Sequence, residues 1–94
     1  DIKVMHENLG TINKNCVTIS TNKGSVDLYF SYKTLVAVNN VCCVNNWSNT
    51  TGKLLNEIQS DKSKRVEHKE VLKEAQKQLK NVLYTEKEQI AQNL

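Results

Sequence analysis

The hydrophobic period of this chain changes once, near residue 47, and that change decides what the chain can fold into. Upstream, Val26, Leu28, Phe30 and Tyr32 alternate with Asp27, Tyr29 and Ser31, the period of a half-buried strand. Residues 15–20 are rich in β-branched side chains and place Val17 and Ile19 on one side. The polar run Thr21-Asn22-Lys23-Gly24-Ser25 between them suits a hairpin loop, because Gly24 can take a positive φ. Two unbroken apolar runs follow, Leu35–Val38 and Val41–Val44, split by Asn39-Asn40, a pair suited to a tight turn. Residues 2–9 add a weaker strand. The prediction for residues 1–46 is an antiparallel sheet of three to five strands.

Downstream the period becomes helical. Residues 53–94 contain neither Gly nor Pro. Residues 48–51 supply Ser, Asn and Thr for an N-cap, and Leu54, Leu55 and Ile58 have helical spacing, predicting a short helix over 48–59. From Lys64, apolar residues recur at Leu72, Ala75, Leu79 and Val82/Leu83, with Ile90 and Leu94 continuing loosely, predicting a long amphipathic helix over 64–92. Such a helix is roughly 40 Å long at about 1.5 Å per residue, whereas strands of five to seven residues span only about 17–24 Å. The helix is therefore expected to overhang the sheet, its distal half free to pair with a second copy or a partner. The fold class is α+β in one domain, residues 1–94.

Charge narrows the partners. Thirteen basic residues against ten acidic give a net charge of +3, and twelve of the thirteen are Lys, with Arg65 alone. Bidentate base reading relies on Arg, so direct sequence readout is not expected, although phosphate attraction is compatible with this balance. No apolar run is long enough for a membrane helix. The first six residues carry neither the basic region nor the apolar stretch of a secretory leader, and three Cys without a C-x-x-C spacing suit a reducing compartment. The expected location is the cytoplasm.

Chemistry-bearing patterns are incomplete. Thr51-Gly52-Lys53-Leu54 is a fragment of a phosphate-binding loop, but Trp47 stands where the pattern needs Gly and Leu54 where it needs Ser or Thr. His6 and His68 lie in different segments, so no nucleophile has an evident base. Glu67, Glu70 and Glu74 interleave with Lys69, Lys73 and Lys77, as on a solvated, ion-paired helix face. No catalytic, cofactor or metal residue is expected, and the chain is expected not to be an enzyme.

Binding residues remain. Trp47 sits where strand gives way to helix, as either a staple over Leu55 and Ile58 or an interface anchor. Tyr29 and Tyr32 offer rings for stacking, with a cross-strand contact as the alternative for Tyr29. Leu79, Val82 and Leu83 form the distal apolar stripe, and Lys73 and Lys77 flank it.

The stretches Tyr29-Phe30-Ser31-Tyr32-Lys33-Thr34-Leu35-Val36-Ala37 and Trp47-Ser48-Asn49-Thr50-Thr51-Gly52-Lys53-Leu54-Leu55-Asn56 resemble small proteins of phages and archaeal mobile elements. Those carry F-S-Y-x-T-L-V-A and W-S-x-T-T-G-K-x-L-N, often with His where Leu54 stands. The resemblance implies a viral or mobile-element origin and an α+β fold. With the small size and the overhanging helix, it leads to the expectation of a host-protein binder that inhibits or redirects its target, of the anti-defence or regulatory (anti-CRISPR) type. The alternative is nucleic-acid binding through Lys-rich helix faces, in a homodimer built on the C-terminal helix.

Overall fold

The computed structural model describes residues 1–84. Five strands form one antiparallel meander: β1 (Lys3–Asn8), β2 (Lys14–Thr21), β3 (Gly24–Ser31), β4 (Thr34–Val38) and β5 (Val41–Cys42), paired in chain order. Helix α1 (Asn49–Ile58), a short 3-10 turn at Lys62–Lys64 and helix α2 (His68–Leu83) follow. This is the α+β class that the two periods predict.

The turns follow their residues. Asn22 and Lys23 join β2 to β3, with Gly24 at φ 142°. Asn39 takes φ 53°, and its side-chain oxygen accepts the Asp27 N–H at 3.0 Å, closing the β4–β5 turn onto β3. Ser48 caps α1, accepting the Thr51 N–H at 3.3 Å. Gly52 sits inside that helix because a Cβ there would lie 2.9 Å from the Asn45 side-chain amide.

The two helices lie on opposite faces of the sheet. Along β3, Gly24, Val26 and Leu28 share one face, and Asp27, Tyr29 and Ser31 the other. On the first face, Val82 Cγ1 of α2 lies 3.7 Å from the position a Gly24 Cβ would take. Thr21, the cross-strand partner of Gly24, donates its hydroxyl to the Val82 carbonyl at 2.7 Å. On the second face, Thr51 of α1 shares a 2.6 Å hydrogen bond with Ser31. Lys14, the partner of Ser31, pairs with Glu57 of α1 at 3.6 Å. Covering on both faces explains the unbroken apolar run in β4, where Val36, Ala37 and Val38 are all fully buried. β1 receives no such cover, and every residue in it is exposed.

Two expectations are corrected, the start of the long helix and its overhang. The long helix starts at His68, not Lys64, because Val66 is held in extended pairing: its N–H donates to the Cys42 carbonyl and its carbonyl accepts the Val44 N–H. Its described part closes at Leu83, with Tyr84 extended at φ −117° and ψ 150°; the expected continuation to 92, with Ile90 and Leu94, lies outside the described residues. There is no overhang within α2. Sixteen residues span about 24 Å, and the eight-residue strands β2 and β3 reach about 26 Å.

The buried stripe of α2 is Val71, Ala75 and Val82, while Leu72 is 43% exposed. Val82 is therefore core and offers no surface to a partner. Leu83 packs half-buried against that core, and Leu79 is also half-buried.

Candidate functional site

Trp47 and Tyr32 meet across one groove. Trp47 is 45% exposed and so is not a buried plug of the core. Its ring lies edge-on to His68, with centroids 5.5 Å apart at 81°, and the His68 Nε2 is 2.9 Å from the Leu35 carbonyl. That contact fixes the indole against α2 while leaving its other edge open.

Tyr32 stands in the left-handed region at φ 56°, a conformation that costs a bulky residue about 1–3 kcal/mol. Its N–H donates to the Asn13 carbonyl at 2.7 Å, which holds the strained backbone, and its side chain is 54% exposed. A concavity of about 380 Å³ lies between the two rings, floored by Ser31, Val36 and Thr51. It continues past Tyr32 and Thr34 into a second hollow of about 540 Å³ beside Ile12 and Lys33. Ile12 is 86% exposed.

Tyr29 is not part of this groove. It is half-buried on the α1 side, lining a separate hollow with Asp27, Leu54 and Ile58. Burial pushes its phenol above the usual range, reinforced by Cys16 and Asp27. Lys73 and Lys77 are exposed on α2, with Lys73 3.5 Å from Glu70, as the ion-paired face predicts.

A cleft of about 650 Å³ opens on the other side of the α1 N-terminus. Asn49, Gly52, Lys53 and Asn56, spaced i, i+3, i+4 and i+7 along one helical stripe, form one wall. Val44 and Asn45 line it from the strand end, and Lys62 and Arg65 close it from the 3-10 turn. Sequence reasoning did not find this site. Its signals were the Gly52-Lys53 fragment and the lone Arg65, 12 residues downstream of Lys53.

The three cysteines are free and buried. Desolvation pushes the Cys43 thiol up to about 11 and raises those of Cys42 and Cys16 as well. Among the described residues no three His, Cys, Asp or Glu side chains stand together as metal ligands, and no helix is long and apolar enough to cross a membrane.

Fold and surfaces together define a small α+β protein, a five-stranded meander between two helices, with an aromatic groove and a basic cleft flanking the first turn of α1. Residues 1–74 match the family of unknown function DUF8033, and the chain belongs to that family. No curated protein and no solved structure matches it.

Proposed function

We propose that this is a non-catalytic protein-binding module whose anchor is the Trp47–Tyr32 groove. The observation that carries the reading is Tyr32: strained backbone geometry holds an exposed aromatic ring opposite an exposed Trp. Aromatic anchors around a shallow apolar hollow are the composition of binding hot spots. Ile12 extends the patch on one side, and Lys33 gives it a polar rim.

The resemblance to phage and archaeal mobile-element proteins makes a host protein the expected partner, bound in the host cytoplasm and inhibited or redirected by occupation of a surface. The anchor differs from the helix stripe expected from sequence, because α2 spends Val82 on its own sheet.

The test is capture of partners from nuclease-treated host lysate by tagged wild-type protein, followed by affinity measurement with the captured protein. Trp47→Ala and Tyr32→Ala should each weaken the complex about 30-fold or more, the equivalent of about 2 kcal/mol at a hot spot. Leu72→Ala, on the far side of α2, should leave it unchanged. A complex indifferent to both groove substitutions, or one that nuclease abolishes, refutes the reading; the latter promotes nucleic-acid binding.

A further inference from the structure

We infer that the cleft between α1 and the 3-10 turn binds a nucleotide through its phosphate. Lys53, Lys62 and Arg65 bring three positive charges to one cavity whose lining contains no Asp or Glu. Among the described residues, no carboxylate lies within ion-pair distance of any of the three, whereas Lys14, Lys69 and Lys73 each have one.

Arg65 is the most informative member. It is half-buried, a position in which an uncompensated charge is costly. Its polar contacts go to neutral groups: Nε and one terminal nitrogen donate to the Gln59 carbonyl at 3.2 and 3.1 Å, the same terminal nitrogen donates to Asn56 Oδ1 at 2.6 Å, and the guanidinium also interacts with the Cys42 thiol, which burial keeps protonated. These bonds orient the guanidinium without neutralising it. They also commit the oxygen of Asn56, which leaves its amide nitrogen as a donor. Asn49 adds a second amide, so the cleft presents mostly donors, the complement of a phosphate.

The cavity volume falls in the range of small-molecule sites and is far more than a phosphate alone would fill. Val44, the apolar residue of the lining, offers a surface to the ligand's ring system. The cleft lies on the opposite side of the α1 N-terminus from the aromatic groove, so the two sites can be tested apart.

The nucleotide can arrive free or as a unit of a single strand. Amide chemical shifts of the labelled protein are followed against inorganic phosphate, adenosine 5′-monophosphate and an oligothymidylate. Saturable shifts are expected at Asn49, Gly52, Lys53 and Asn56, with phosphate competing for the monophosphate site. The double variant Lys53→Glu/Lys62→Glu, both positions exposed, should weaken binding at least about tenfold while its melting temperature stays close to wild type. Lys69→Glu/Lys73→Glu, with the same charge change on α2, should bind as wild type does.

A monophosphate bound as tightly as the oligonucleotide identifies a free nucleotide. Tighter oligonucleotide binding, with a log–log salt slope near −2 for three neutralised phosphates, identifies a strand. Absence of saturable shifts with all three probes, or equal weakening in both double variants, overturns the inference.

Discussion

The Ser31–Thr51 hydrogen bond decides whether α1 really seals the second face of the sheet. Both side chains are almost fully buried, and their hydroxyls lie 2.6 Å apart. Thr51 has a second, longer contact to the Ser48 hydroxyl at 3.5 Å, whereas Ser31 has no other side-chain partner among the described residues. Thr51→Val keeps the shape and removes the partner, leaving a buried Ser31 hydroxyl unsatisfied at a cost of about 1–3 kcal/mol. For a domain of this size that lowers the melting temperature by about 8–16 °C at the middle of the range.

Ser31→Ala alone should cost less, because Thr51 retains Ser48. In the double variant no stranded hydroxyl remains on the sheet side, and much of the loss should be recovered. The cycle is therefore strongly non-additive, with a coupling of about 1–2 kcal/mol. Urea unfolding of the four proteins measures it. Additive losses, or a Thr51→Val protein within about 0.5 kcal/mol of wild type, would mean that water reaches this face and that α1 does not close it.

Two further outcomes follow from burial. Val82→Asp places a carboxylate in the core against Gly24 and should destabilise the fold by more than about 3 kcal/mol in urea titration, whereas Leu72→Asp should change it by less than about 0.5 kcal/mol; the reverse order would restore the stripe expected from sequence. Cys43, with its thiol raised from 9.0 to about 11 by burial, keeps its proton when folded but loses it when unfolded across that window. Its contribution to stability is thus full below pH 9 and falls as pH rises to 11, by about 2–3 kcal/mol in total. Urea midpoints from pH 8 to 11 should decline less steeply in Cys43→Ala, and parallel curves would contradict the assignment.

Local rules made most of the fold legible. The alternation in β3 and the Asn39-Asn40 turn follow from chemistry within a few residues and stand where the sequence placed them, and Ser48 is the one that caps among the several candidates the sequence offered. What failed was decided at long range. Val66 continues an apolar pattern that a helix can use, yet Cys42 and Val44 claim its backbone. Val71 and Leu72 are adjacent apolar residues, and either can start a helical stripe; the sheet selects Val71 because Val82, eleven residues on, then meets the space left by Gly24. The basic cleft was illegible for the same reason. Lys53 and Arg65 line one cleft only after the chain reverses through the 3-10 turn, and no periodicity encodes that reversal.

The W-S-x-T-T-G-K-x-L-N stretch gains a physical meaning once its residues are sorted by what they touch. Ser48 caps the helix, Thr51 reaches across to Ser31, Gly52 makes room for Asn45, and Leu55 is fully buried. Those four explain why the helix starts where it does and why it lies on this face of the sheet. Trp47, Lys53 and Asn56 are exposed and do not belong to that core. Trp47 projects toward Tyr32, while Lys53 and Asn56 project into the cleft. Ten helical residues thus serve three directions at once: Thr51, Leu54 and Leu55 inward, the 49-52-53-56 stripe toward the cleft, and the capping turn toward the groove. A helix needed only to cover a sheet can fill its outer face with any soluble residue. Here the outer face instead gathers amides and Lys53, a cation with no ion pair among the described residues, beside Arg65, which the packing of the fold alone does not require.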